Sequence, residues 1–350
     1  MSTTSESIRN RAFRLRHRPV GEPTASDLEL VEESLPPVAD GEALVRTLYL
    51  SLDPTNRLWM SDMRQYSPPV ELGAVMRGIG IGEIVESRRD DMRVGDLVFG
   101  YTQWQEYCVA GAQDGFSVLP SPLPAPLTAF LGALGHTGLT AYIGLEMAEL
   151  RPGETLVVSA AGGAVGSVVG QIAKARGARA VGIAGGAEKC RHAVEELGFD
   201  ACVDRLAPDW RDQLDAATPD GVDVNFENVG GEIMDHVFMR LNMNARVILC
   251  GMISQYDAAG AQCTWQGQVN VGQILMQRAT MRGFIVSDHY DQFAAGAAYL
   301  AGLLAAGRLK YDETVVEGFE QAPVALRKLF TGEKLGKLLV HVADPSANVA

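Results

Sequence analysis

Short apolar runs separated by turn residues fill the first third of the chain: Ala43 to Leu50, Gly82 to Ser87, Asp96 to Tyr101 and Gln105 to Val109. Pairs such as Asp40-Gly41 and Gly95-Asp96 bound them, so each run predicts a strand. Phe13 and Leu15 alternate with Arg14, Arg16 and Arg18, the period of a strand with one wet face whose charges discourage edge-to-edge pairing. Residues 1–126 therefore predict a β-rich domain, in the form of a barrel. Pro120, Pro122, Pro124 and Pro126 act as a stiff connector, and Leu127 to Leu150 then has helical spacing.

After Pro152-Gly153 strands and helices alternate. Thr155 to Ala160 predicts a strand, Val165 to Arg176 a helix, Arg179 to Ala184 a strand, Glu188 to Leu197 a helix and Ala201 to Val203 a strand. Val222 to Glu227, Ala245 to Cys250 and Met281 to Val286 continue as strands, with helices near Glu232 to Leu241 and Asn270 to Arg278. Repeated βαβ units with apolar strands imply a doubly wound parallel sheet buried on both faces, so the fold class is α/β, with residues 127–310 forming this domain. The tail, 311–350, has strand-like segments around one helix, Ala322 to Thr331, and is expected to complete the first domain.

Composition narrows the partners. The chain has 350 residues, enough for two domains with real cores, and 47% apolar against 21% charged residues is a globular mix. A net charge of −13 repels polyanions, which argues against nucleic acid and anionic membranes. Five cysteines, Cys108, Cys190, Cys202, Cys250 and Cys263, contain no Cys-x-x-Cys pair, so a disulfide framework and a zinc ribbon are both excluded and a reducing cytoplasm is the natural setting. Arg9, Arg11, Arg14, Arg16 and Arg18 beside serines imitate an organelle transit peptide, but the strand period in the same stretch argues against one. The uncharged stretch Thr155 to Ala173 has the length of a membrane helix, with Gly162, Gly166 and Gly170 at GxxxG spacing.

Its context argues otherwise. Ala161-Gly162-Gly163-Ala164-Val165-Gly166 lies between a predicted strand and a predicted helix and fits the dinucleotide fingerprint, with Ala161, Gly163 and Gly166 at the three glycine positions. Gly163 lets backbone approach a pyrophosphate, Gly166 lets helix pack on strand, and the helix N-terminus offers N–H groups to the anion. An NAD site places an acid at the end of the second strand, about 20 residues on, to hold the ribose 2′-hydroxyl. Here that position is Ala184, followed by Gly185-Gly186-Ala187-Glu188-Lys189, so Lys189, with Arg205 as a second cation, could hold the 2′-phosphate of NADPH.

These residues resemble the zinc-independent branch of the medium-chain dehydrogenases/reductases, and within it the prostaglandin, alkenal double-bond and curcumin reductases. The resemblance runs through Leu50-Ser51-Leu52-Asp53-Pro54, Tyr66-Ser67-Pro68-Pro69-Val70-Glu71-Leu72, Gly138-Leu139-Thr140-Ala141-Tyr142, the fingerprint to Ala173, Gly185 to Cys190, Glu227-Asn228-Val229-Gly230-Gly231 and Cys250 to Tyr256. It implies a GroES-like barrel and a Rossmann domain with the active site in the cleft between them. It also implies hydride transfer from NADPH to the β-carbon of an α,β-unsaturated ketone or aldehyde, and a homodimer paired through the strand Arg282 to Val286. Lys189 then binds the 2′-phosphate, and Asn228 and the loop with Cys250, Gly251, Ser254 and Tyr256 hold the nicotinamide half. Backbone groups of Phe284, Ile285 and Val286 flank the ring.

The chain departs from relatives at Thr55-Asn56, where they carry Tyr-Met, at Arg205, where many carry Tyr, and at Lys334, where many carry Asn. Zinc-dependent relatives place Cys near Asp53 and Gly-His-Glu before the Gly78-x-Gly80 turn, where this chain has Met76-Arg77, so no metal site is expected. Without metal, a preorganised donor must stabilise the enolate oxygen, and Tyr256 is the candidate catalytic residue; the alternative is a tyrosine simply packed in its loop. Tyr66, Tyr101, Trp104, Ser287 and Tyr290 are candidate substrate walls, each also readable as an ordinary core or surface side chain. His136 reads as a packed or hydrogen-bonded loop histidine, and Asp53 as the residue ordering the turn before Pro54. A quinone reductase using the same cleft, and a nucleotide-binding sensor that never turns over, are the competing functions.

Overall fold

The computed structural model describes residues 8–256 and 269–346; Cys263 lies outside them. β1 (Arg9–Leu15) pairs antiparallel with β2 (Leu28–Ser34), and the Phe13 N–H bonds the Trp104 carbonyl to tie this hairpin to the barrel. Then follow β3 (Ala43–Leu52), the short helix α1 (Thr55–Trp59), β4 (Gly80–Ser87), β5 (Leu97–Gly100), β6 (Tyr107–Ala110) and β7 (Ser117–Val118). The single helix predicted over Leu127 to Leu150 is broken. A 3-10 turn, Leu127–Phe130, precedes α2 (His136–Met147), because the chain doubles back at Gly135, where a Cβ would stand 2.0 Å from the Phe130 carbonyl oxygen.

The second half runs β8 (Thr155–Ser159), α3 (Gly166–Ala175), β9 (Arg179–Ala184), α4 (Ala187–Glu195), β10 (Ala201–Asp204), α5 (Trp210–Ala217), β11 (Val222–Glu227), α6 (Gly231–Phe238), β12 (Leu241–Leu249), α7 (Gly272–Met276) and β13 (Thr280–Gly283). The strand predicted to reach Val286 stops at Gly283, and a 3-10 helix begins at Val286. α8 (Phe293–Ala305), β14 (Glu313–Glu317), α9 (Ala322–Thr331) and β15 (Lys337–His341) complete the chain.

Six parallel strands form one sheet in the order β10-β9-β8-β11-β12-β13. Successive residues of β8 serve opposite faces, as the two-residue period of a strand requires. Leu156 and Val158 join a core with Val224, Phe226 and Ile248, while Val157 joins a second with Val181, Val203 and Val247. Both faces are dry, and a side chain such as Phe226, fully buried, contributes about 2–3 kcal/mol from apolar burial. The other large sheet has the order β14-β15-β3-β4-β5-β7, with β6 also pairing β3. β15 therefore lies beside β3, antiparallel to it, and the tail is part of the first sheet. No helix among the described residues is long and apolar enough to cross a membrane.

Candidate active site

β8 and β11 are neighbours whose connections leave in opposite directions, β8 toward β9 and β11 toward β12. Ligands of doubly wound sheets bind at this switch point, beyond the carboxyl ends of the strands. A cavity of about 690 Å³ opens there, and it extends to the strap 332–336 between α9 and β15 and to Lys337 at the start of β15.

The fingerprint shapes one wall. Ala160 turns the chain with φ of 54°, and its carbonyl accepts the Gly163 N–H at 2.8 Å. A Cβ on Gly166 would stand 2.3 Å from that same oxygen, so only glycine allows α3 to start so close to β8. Gly162, Gly163, Ala164, Val165 and Gly166 line the cavity. Ala161 does not. It is wholly buried, its N–H bonded to the Ile183 carbonyl, so the first fingerprint position shapes the turn and Ala160 lines the cavity in its place.

Behind this wall a buried carboxyl organises the two loops at the switch point. Glu227, with no exposed surface, accepts the Ser159 hydroxyl at 2.6 Å and the N–H groups of Val229 and Gly230 at 2.7 and 2.9 Å. Burial pushes its carboxyl above the usual range against the pull of these bonds. Ser159 Oγ also accepts the Asn228 N–H, and the Asn228 amide donates to the Ser159 carbonyl, both at 2.8 Å. The Glu227 carbonyl holds the N–H groups of Cys250 and Gly251. Ser254 donates to the Val229 carbonyl, and Tyr256 Oη accepts the Met252 N–H at 3.2 Å. Asn228, Cys250, Gly251, Ser254 and Tyr256 thus stand together on the cavity wall. Burial pushes the Cys250 thiol and the Tyr256 phenol each up to about 12, so both keep their protons at neutral pH. The sequence reading named Glu227 only as part of a motif and left Ser159 out; a buried acid ending an apolar strand was the available signal.

Cations gather at the other end. Lys189 lays its stem against Gly162 and donates Nζ to the Gly332 carbonyl on the strap. Arg205 holds its guanidinium 3.3 Å from where a Cβ on Gly185 would stand. Burial and Arg205 hold Lys189 below the usual lysine range. Asp204, the acid ending β10, accepts the Gly186 and Leu206 N–H groups instead of facing the cavity. Lys334 on the strap and Lys337 at the start of β15 add two further ammonium groups, and Lys337 pairs with Asp53 at 2.7 Å. Burial raises the Asp53 carboxyl, but Lys337 and the Ser51 hydroxyl outweigh it and leave it below the usual range. A glycine cradle at a helix start, flanked by cations where an acid would repel, fits a dinucleotide with a 2′-phosphate.

A second cavity, of about 420 Å³, lies between the barrel and the helices α2 and α8. Tyr101 and Tyr290 line it with Phe99, Phe130, Leu139 and Phe293. His136 starts α2 with its ring edge-on to Phe99 and Phe293, and burial pushes it below the usual histidine range, so it is neutral. Its neighbour Thr137 lines the larger cavity, so successive residues at the start of α2 border the two spaces. Tyr66, half exposed, bonds the Thr55 hydroxyl, which faces the larger cavity. Asn56 is buried and braces the turn, accepting the Asp53 N–H at 2.8 Å.

Trp104 is a correction. It is fully buried in the barrel core, edge-on to Phe13 and packed so tightly on Gly78 that a Cβ there would lie 2.5 Å from the indole, so it cannot be a substrate wall. Ser287, in the 3-10 helix after β13, lines neither cavity, nor do the side chains of Phe284, Ile285 and Val286. Among the described residues no group of three or more His, Cys, Asp or Glu side chains could hold a metal ion.

Two family models match the chain, an N-terminal domain of oxidoreductase over residues 11–118 and a zinc-binding dehydrogenase over residues 164–301. The NADPH-dependent curcumin reductase of Escherichia coli is 40% identical over 96% of this chain and 97% of its own length. The NADP-dependent 2-alkenal reductase of Nicotiana tabacum is 35% identical over 97% and 99%. The crystal structure of CurA from Vibrio vulnificus in complex with NADPH superposes with a TM-score of 0.91 at 41% identity, covering 96% of this chain and all of that one. The chain is an NADP-dependent oxidoreductase and belongs to the medium-chain dehydrogenase/reductase family, in the zinc-independent group of curcumin, alkenal and prostaglandin reductases.

Proposed function

We propose that the protein reduces the carbon–carbon double bond of α,β-unsaturated ketones and aldehydes, in a cleft between a substrate domain (1–126 completed by 311–350) and an NADP domain (127–310). The observation that carries this reading is a neutral phenol, Tyr256, on the wall of the cavity that the fingerprint lines. NADPH supplies a hydride there when bound. Tyr256 donates to the substrate carbonyl, stabilising the negative charge that develops on oxygen, and the loop held by Glu227 fixes its position. Thr55, bonded to Tyr66, lines the larger cavity, and the second, more apolar cavity, with Tyr101 and Tyr290, would take the apolar body of the substrate. Curcumin and 2-alkenals, named as substrates of the relatives, are conjugated carbonyls of this kind. The cytoplasm suits the four free thiols among the described residues.

The test is NADPH oxidation followed by absorbance with a panel of enals, enones and quinones, with products identified by mass. Steady oxidation with an enone, giving the saturated ketone, is the expected result. Turnover with quinones alone supports the quinone reductase reading, and turnover with none supports a sensor.

We also propose a homodimer. β13 is an edge strand exposed along its whole length, and Met281 on it and Val271, Leu275 and Met276 of the preceding segment are exposed apolar side chains. An open apolar edge of this kind invites pairing with a second copy. Light scattering at micromolar concentration should give twice the 37.5 kDa chain mass, and a monomer mass would refute the pairing.

A further inference from the structure

We propose that Lys334 is a diphosphate-binding residue of the NADPH site and that cofactor binding loads it with a proton taken from solvent. The strap that carries it is fastened to the fingerprint: the Gly336 N–H donates to the Gly162 carbonyl at 2.9 Å, and Gly336 bridges Gly163. Lys334 Nζ donates to the Gly336 carbonyl at 2.8 Å and lies 3.8 Å from where a Cβ on Gly163 would stand. Gly163 is the position at which a dinucleotide's pyrophosphate meets the backbone. The lysine's ammonium group therefore stands beside the glycine where the diphosphate would lie.

Three charged groups bear on it from the elements around it, Lys337 of β15, Lys189 of α4 and Asp53 beyond β3. The Asp53 carboxylate is already paired with Lys337. Burial and the two ammonium groups, opposed only by Asp53, push Lys334 down to about 7. In the free protein at neutral pH about half the molecules carry the neutral amine. A diphosphate brings two negative charges to the same place and favours the ammonium form. The Lys334 proton enters with NADPH and leaves when NADP+ dissociates, because both carry the same diphosphate, so it cancels over a cycle, and the one proton that turnover consumes is the one added to the reduced double bond.

The sign follows from linkage. A group protonated more in the complex than in the free protein strengthens binding most at low pH. Affinity is level below the free value of about 7 and weakens as pH rises above it, until the value in the complex is reached. For one group with this free value the dissociation constant rises by at most about 50-fold between pH 7 and 9. Proton uptake at pH 8 is then most of one proton per NADPH. The 2′-phosphate titrates near 6 and is fully ionised there.

Titration calorimetry of the full chain with NADPH at pH 8, in buffers of different ionisation enthalpy, counts the protons directly. The expected result is most of one proton for the native protein and near zero for Lys334→Met and Lys334→Arg. The arginine variant stays charged throughout, so it should keep tight binding and lose the pH 7 to 9 weakening; if the methionine variant does not fold, the arginine variant decides. NADH at saturating concentration should take up the same proton, since it lacks only the 2′-phosphate. No uptake in the native protein, uptake retained in Lys334→Arg, or uptake with NADPH but none with NADH would each overturn the assignment. None of these readings needs turnover, so they stand apart from the identity of the substrate.

Discussion

Tyr256→Phe is expected to slow enone reduction by about 10²-fold or more while NADPH binding changes little, because one donor aimed at developing charge is worth about 3–4 kcal/mol. The ring is buried, only 8% exposed, and the substitution keeps its packing. Its hydroxyl accepts the Met252 N–H, and a hydroxyl that accepts is polarised to donate more strongly. With the phenol at about 12, the donor stays protonated as pH rises, so the rate should show no loss from its ionisation until pH nears that value. Removing the oxygen also strips Met252 of its acceptor, at a cost of about 1 kcal/mol, which a small fall in Tm would record. Single-turnover decay of NADPH absorbance isolates the chemical step. An unchanged rate in the variant would make Tyr256 a wall and place the proton donor elsewhere.

Lys189→Ala should raise the KM for NADPH by roughly 10–100-fold, the range for losing one charge-assisted bond to a phosphate, and that for NADH by far less. Lys189 and Arg205 flank the end of β9, where Ala184 and Gly185 leave no carboxylate to hold a bare ribose. The lysine also fastens the strap through the Gly332 carbonyl, so a small loss for NADH is expected too. Steady-state kinetics with both cofactors decides it. A native protein that prefers NADH, or a variant in which both constants rise equally, would refute the role.

What the sequence made legible depended on whether the signal was local. Arg179–Ala184, a nearly continuous apolar run, and Val222–Glu227, with Val222, Val224 and Phe226 at the two-residue period of a strand, were read to the residue because glycine-bearing turns bound both. α8 went unassigned: its run of alanine, glycine and leucine has no polar face, so no helical period stands out. α5, short and acidic, was missed as well. The fingerprint, Lys189 and the loop ending at Tyr256 were legible because each is one contiguous segment. Trp104 was misplaced because a turn aromatic three residues from Tyr101 gives no sign of whether it faces the cleft or the core. Asp53 and Lys337 are distant in the chain, as are Ser159 and Glu227, and only the sheet order brings either pair together.

The position of β15 also sets an order of events during synthesis. It sits between β14 and β3, and Lys337 Nζ reaches the Leu52 carbonyl across 285 residues of sequence. The parallel sheet is contiguous in the chain and can close while translation continues, whereas the sheet that begins at β3 must wait for β14 and β15. At about 5–20 residues per second, the flank of β3 that β15 will cover stays open for on the order of 15–60 s on the ribosome. A nascent chain of this protein therefore carries a finished nucleotide half beside an unsealed barrel, and an aggregation-prone strand edge is exposed until β15 has been made. The strap that lines the larger cavity arrives with that same strand, so the cavity is complete only once β15 has been made.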